Sequence, residues 1–162
     1  FDRSDAVDFT LAHDDGQRVH DLKRADVVLV GVSRVSKSVT CFYLAARGVR
    51  AANVPLTMIH AVPPELDRLD PNRVIGLTMN ASRLCALRQA RLDRISNRPV
   101  AGYADRCQVA AELRYATEVI HQHGWRSIDV SYTATEEVAS EIIEMLSSQE
   151  RRGRDRAPTK AR

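Results

Sequence analysis

The chain has 162 residues, of which 44% are hydrophobic, 28% charged and 5% aromatic. That balance suits one α/β or α-rich domain with a single core, and 7 Gly and 6 Pro are too few for a disordered or collagen-like chain. No run approaches the roughly 18–20 apolar residues of a membrane span, and no charged start leads into the apolar stretch of a secretory signal; the chain begins at Phe1 rather than Met, as a fragment would.

The formal net charge is +3, yet residues 150–162 alone hold six basic residues (Arg151, Arg152, Arg154, Arg156, Lys160, Arg162) against Glu150 and Asp155. The rest of the chain is therefore slightly acidic. No apolar or aromatic residue is interleaved in the tail, so 149–162 reads as a solvated, disordered end. It does not read as a nucleic-acid or membrane contact. Cys41, Cys85 and Cys107 are odd in number and form no C-x-x-C pair, which argues against zinc or redox motifs and suits a reducing cytoplasm. Cys41 and Cys85 fall in apolar helical patterns, as small core residues do.

A short helix is expected from Ser4, then a turn at Asp14-Asp15-Gly16. Val27–Val30 is a run of four β-formers closed by Gly31 and reads as a buried parallel strand. Lys37–Arg47 reads as a helix with Cys41, Leu44 and Ala45 on its apolar stripe and Gly48 as its stop. Residues 51–56 form the next strand candidate. Pro63-Pro64 opens a short helix, and Val74–Thr78 is a third strand. Asn80 or Ser82 can cap a helix carrying Leu84, Leu87 and Leu92. Arg98–Gly102 is a loop. Asp105 begins a long helix with Val109, Leu113, Ala116 and Ile120, ending at Gly124. Ile128-Asp129-Val130 is a short strand. Thr133 with Glu136 forms a capping-box pattern before Val138, Ile142 and Met145. Strands alternating with helices predict an α/β fold, a parallel sheet with helices on both faces. There is no internal repeat.

Between the first strong strand and its helix stands Gly31-Val32-Ser33-Arg34-Val35-Ser36-Lys37-Ser38, the pattern G-x-x-x-x-S-K-S. It departs from the P-loop G-x-x-x-x-G-K-[ST] only in Ser36 for glycine. Such a loop turns backbone N–H groups toward phosphate oxygens, and the helix N-terminus adds partial positive charge. Lys37 is placed to reach terminal phosphates, and the Ser38 hydroxyl to reach Mg²⁺. A hydroxyl added at Val35 is expected to donate to phosphate, so Val35→Thr should equal or improve affinity for the nucleotide.

The acid that usually ends a neighbouring strand is missing after Val74–Thr78. Asp14-Asp15, before Gly16, is the best replacement pair. Two carboxylates on a turn can bind Mg²⁺ or accept a hydroxyl proton; the plainer alternative is an Asx-type turn. Reactive groups of an open α/β sheet gather beyond the carboxyl ends of the strands, so Asp14 and Asp15 are expected near the mouth of the loop, with Asp129 the next candidate. Asp15 is favoured as base because Gly16 permits close approach. Arg88, Arg91 and Arg94 recur at i,i+3 and can share one stripe facing a phosphoryl group or an acidic partner; a solvated helix face is the alternative. His13, His20, His60, His121 and His123 show no metal-ligand spacing.

These residues resemble the pyruvate, phosphate dikinase regulatory proteins, whose sister group regulates phosphoenolpyruvate synthase. The resemblance rests on 25–34 with Ser36-Lys37, on His13-Asp14-Asp15-Gly16-Gln17, on Tyr43-Leu44-Ala45 with Arg47-Gly48, and on 52–56. It continues through Val74-Ile75-Gly76-Leu77, Arg83-Leu84, Arg88 and Arg91-Leu92, then Tyr103-Ala104-Asp105, His123-Gly124-Trp125 and Ile128-Asp129-Val130. Order and spacing agree over residues 5–145, and the last two segments are more similar to the dikinase branch. The family loop usually has Thr at the position of Val35, and often Thr-Pro at that of Ser38-Val39.

The resemblance implies a P-loop kinase-like fold and a bifunctional serine/threonine kinase and phosphorylase. ADP would phosphorylate, and inactivate, a threonine of the dikinase; inorganic phosphate would remove that group as diphosphate. The target would be the dikinase or the synthase, with a homodimer possible and a cytoplasmic setting. The resemblance places residues 31–38 on the nucleotide, Lys37, Asp14 and Asp15 in catalysis, Arg88 and Arg91 on phosphate or partner, and Mg²⁺ on Ser38. It also implies a further N-terminal domain of about a hundred residues or more, a size that suits a separate folding unit. Residues 1–25 would be its end or the start of the kinase domain, 26–148 the kinase-like domain, and 149–162 the tail. Two other readings are a small-molecule P-loop kinase with an Arg-rich lid, by analogy only, and a non-catalytic nucleotide-binding regulatory module.

Overall fold

Three largely apolar runs and one short polar segment become one parallel sheet. The computed structural model describes residues 2–95 and 101–155. Its strands are β1 (Val27–Gly31), β2 (Ala51–Pro55), β3 (Val74–Thr78) and β4 (Arg126–Asp129), in the order β2-β1-β3-β4. Every residue of β1 is buried, as a central parallel strand covered on both faces must be. Its register runs from Val27 opposite Ala51 to Gly31 opposite Pro55, and from Val28 opposite Val74 to Val30 opposite Gly76. The α/β class and parallel sheet agree with the sequence reading. β4 lies two residues earlier than expected at its start and ends at Asp129.

The helices are α1 (Arg3–Ala12), α2 (Lys37–Ala45), α3 (Ala81–Arg94), α4 (Arg106–Gln122) and α5 (Thr135–Asp155). α2 packs against both α1 and α5, and α3 packs against α4. Local chemistry sets their starts: Asp2, Asn80 and Asp105 each accept hydrogen bonds from first-turn amides, relieving donors that have no partner in the helix. Asn80, rather than Ser82, caps α3. The Thr133–Glu136 capping box is corrected: the Ala134 carbonyl accepts the first amides of α5, and Glu136 instead accepts from the Tyr43 hydroxyl at 2.7 Å. α5 also runs on to Asp155, so 149–155 is helical rather than the disordered tail expected. Residues 156–162 and 96–100, the latter including 98–100 of the expected loop, lie outside the described residues.

α1 is tied to the sheet edge by Thr10, whose hydroxyl donates to the Ala51 carbonyl at 2.7 Å and accepts from the Ala51 amide. Ala6, Phe9 and Leu22 are buried with the strands. On the far side, Gly76 lets α4 close onto β3, since a Cβ there would stand 2.4 Å from Ile120 Cδ1. The chain leaves β1 for β2 on one side and enters β3 on the other. The carboxyl end of β1 is therefore the topological switch point, where such sheets bind ligands.

Gly31 ends β1 at φ 152°, and a Cβ would meet the Leu77 carbonyl oxygen of β3 at 2.6 Å. Backbone cannot yield as a side-chain tip can. Gly31→Ala is therefore expected to lower unfolding free energy by about 2–3 kcal/mol, read from a shifted midpoint in denaturant; an unchanged midpoint would mean that the strand end relaxes freely.

Candidate functional site

The loop 31–38 leaves β1 through three unusual backbone positions: Gly31, Arg34 at φ 73° and Ser36 at φ 63°. Left-handed non-glycine residues are uncommon, and they curl the loop at the foot of α2. Ser36 occupies the helix cap position without a side-chain cap bond. Its carbonyl accepts from the Thr40 hydroxyl at 2.8 Å.

Two buried cations secure the loop from within. Lys37 is 5% exposed, and its Nζ donates to the Val32 carbonyl at 2.7 Å. Arg88, 1% exposed, donates to the carbonyls of Ser33 at 3.3 Å and Tyr103 at 3.0 Å, and to the Glu112 carboxylate of α4 at 2.7 Å. Carbonyl oxygens that would repel an anion are thus engaged. Burial pushes the Lys37 ammonium down to about 8, against the pull of the Asp15 and Asp14 carboxylates.

Opposite the loop stands the Asp14-Asp15-Gly16 turn, with Asp15 itself left-handed at φ 50°. Asn53 of β2, 1% exposed, holds it. Its Nδ2 donates to the Asp14 carboxylate at 2.5 Å, its Oδ1 accepts the Asp15 amide at 3.2 Å, and its own amide donates to the His13 carbonyl at 3.3 Å. His13 is buried between the Phe9 carbonyl and the Asp21 carboxylate. Gly16 sits over Pro55, where a Cβ would lie 3.3 Å from Pro55 Cδ.

The two sides enclose a cleft of about 730 Å³, lined by Asp15, Ser33, Arg34, Ser36, Lys37, Ser38, Val39 and Pro55, and on α3 by Leu87, Ala90, Arg91 and Arg94. Such a cleft offers a cation, hydroxyl groups, a carboxylate and further guanidinium groups to one ligand. The expectation that Asp14 and Asp15 lie at the mouth of the loop agrees with this placement. Asp15 reaches the cleft, while Asp14 is tied to Asn53. Asp129 accepts from the amide and hydroxyl of Ser131 and forms a turn at the end of β4, so it is no longer needed as the acid.

Two expectations are corrected. Arg88 does not share the open stripe: it is buried and donates to Glu112, whereas Arg91 and Arg94 are exposed. Val35 is fully buried, near Gly31, in the apolar core. Its side chain is packing rather than a ligand contact, and a hydroxyl there faces apolar neighbours, not phosphate. The sequence reading gave Asn53, Glu112 and Pro55 no part in the site, although 52–56 carried part of the resemblance. The signal available was a single amide inside an otherwise apolar strand.

The sequence profile of a family described as Kinase/pyrophosphorylase matches residues 1–143. The chain belongs to the kinase/pyrophosphorylase family. It is 44% identical over 147 residues to a relative from Caulobacter vibrioides, covering 91% of this chain and 47% of that protein. It is 43% identical over 148 residues to one from Hyphomonas neptunium, with 90% and 53% covered, and 44% identical over 144 residues to one from Geotalea daltonii, with 88% and 54% covered. All three are named pyruvate, phosphate dikinase regulatory protein. The chain spans about half the length of these curated relatives. Family membership agrees with the resemblance drawn from the loop and the His-Asp-Asp-Gly segment. Among the described residues, no helix is long and apolar enough to cross a membrane.

The lowered Lys37 ammonium sets a pH dependence. The protonated form is the one that attracts an anion, so if ADP occupies the cleft, binding above about pH 8 must first take up a proton, and affinity should fall by up to about tenfold per pH unit there. Without ligand the sign is opposite: the folded chain gains stability from about 8 toward the ordinary 10.5, because only the unfolded state keeps the charge. Calorimetry with ADP at pH 7 and 9.5 checks the first effect; equal affinities would mean that the Lys37 ammonium does not contact the ligand.

Proposed function

We propose that the chain carries the phosphoryl-transfer half of a protein-threonine kinase and phosphorylase acting on pyruvate, phosphate dikinase. The observation that carries this reading is the shared cleft of Asp15 and Lys37, an acid and a buried cation on opposite sides of one site. Family membership and the names of the relatives support the same chemistry and favour the dikinase over the synthase as target.

In the forward direction ADP lies with its β-phosphoryl at Lys37 and the loop. The target threonine enters from the Asp15 side. Its Oγ bonds to the β-phosphorus, its proton passes to the Asp15 carboxylate, and the bond from phosphorus to the bridging oxygen breaks to release AMP. In the other direction a free phosphate oxygen bonds to the phosphorus of phosphothreonine. The threonine Oγ leaves, takes the proton back from Asp15, and diphosphate departs. Lys37 offsets phosphate charge in both directions. Ser38 offers a hydroxyl oxygen of the kind Mg²⁺ prefers. A bound Mg²⁺ would be held by Ser38 together with phosphate and water oxygens, and would neutralise phosphate charge.

Incubation with β-labelled ADP and dikinase tests the reading, with label expected on a dikinase threonine. Lys37→Ala should weaken ADP binding by about tenfold or more, the worth of a charge-assisted phosphate contact. Asp15→Asn should leave ADP affinity within about twofold but slow transfer by about 10²–10⁴. Label transfer by Asp15→Asn at the unaltered rate would exclude Asp15 as base.

A further inference from the structure

The proposed reaction, on which this inference rests, fixes a direction across the cleft. In phosphoryl transfer the attacking and leaving oxygens lie roughly in line on opposite sides of phosphorus. Asp15 marks the threonine side, and it is held by Asn53 on β2. α3 follows β3, and β3 flanks β1 on the side away from β2. The α3 wall of the same cleft therefore faces the opposite end of the line from the threonine.

That wall has two kinds of surface. Leu87 and Ala90, three residues apart, put apolar side chains along one stripe. Leu87 is half-buried and Ala90 exposed. Arg91 and Arg94, one turn further on, line the cleft and are exposed. An anion alone has no use for the first surface. A nucleoside does, since a purine face buries well against aliphatic carbon, and planar guanidinium groups suit phosphate.

We propose that the α3 wall is the leaving-group subsite, in which Leu87 and Ala90 carry the nucleoside of ADP while Arg91 and Arg94 hold its α-phosphate. In the phosphorolytic direction the attacking free phosphate must approach from that same side. Arg91 and Arg94 then hold it, and the apolar stripe stays unused. One pair of residues serves both reactions, and the other serves only the nucleotide.

Calorimetry of the unaltered chain and its variants with ADP and with diphosphate separates the two roles. Diphosphate fills both phosphate positions and lacks the nucleoside. Leu87→Asn is expected to weaken ADP about fivefold or more, and diphosphate less than about twofold. Ala90→Gln, at an exposed position that leaves the fold intact, should show the same selectivity. Arg91→Met combined with Arg94→Met should weaken both ligands about tenfold or more. The proposal is overturned if the Leu87 and Ala90 variants leave ADP affinity unchanged, or weaken diphosphate as much as ADP. Failure of the unaltered chain to bind either ligand would overturn the preceding reading of the function itself.

Discussion

The arrangement of the cleft depends on one buried amide, that of Asn53 in β2. An amide buried inside an apolar strand is costly unless its donors and acceptors are met. Here they are met by the Asp14-Asp15 turn, with the carboxylate of one residue and the amide of the next on the two ends of the same side chain. A segment that precedes β1 in sequence is thereby fixed beside the loop that follows β1. Asp14 takes the structural bond, while the Asp15 carboxylate, which makes no side-chain hydrogen bond among the described residues, lines the cleft. Gly16 on Pro55 and the Thr10 bonds to Ala51 hold the same segment along the edge strand.

The other side of the cleft is set by buried positive charge. Lys37 and Arg88 are both nearly inaccessible, and both bond to loop carbonyls. Arg88 is compensated by Glu112, so its desolvation is offset by a close ion pair. Lys37 bonds to the Val32 carbonyl, with Asp15 and Asp14 further away, and burial lowers its ammonium against their pull. The difference divides their work. Arg88 ties the loop to α3 and α4, whereas among the described residues no carboxylate forms an ion pair with Lys37, which suits the anion-binding role proposed for it.

The first three strands were readable in the sequence because they are short, largely apolar runs punctuated by Gly and Pro, and burial on both faces demands such runs; β4, mostly polar, was placed less well. The loop was readable because few residue types tolerate its turn and the charge it carries. Arg88 misled because i,i+3 spacing reports which residues share a face, not whether that face meets solvent or another helix. Val35 misled because a loop residue between two left-handed positions can point into the core, and a polar motif hides it. The role of Asn53 depends on contacts across 38 and 39 residues, which no local pattern encodes. The late end of α5 shows that a charged composition can continue a helix already begun.

A double-mutant cycle on Asn53 and Asp15 tests this account most directly, read as the rate of label transfer from ADP to dikinase, with ADP affinity measured alongside. If Asn53 acts by holding Asp15 over Lys37, Asn53→Ala slows transfer in the unaltered background but has almost no further effect once Asp15→Asn is present. The coupling should then approach the whole effect of the Asn53 change. Strictly additive losses, with the fold and ADP affinity retained, would contradict the account and show that the Asp14-Asp15 turn is not placed through β2.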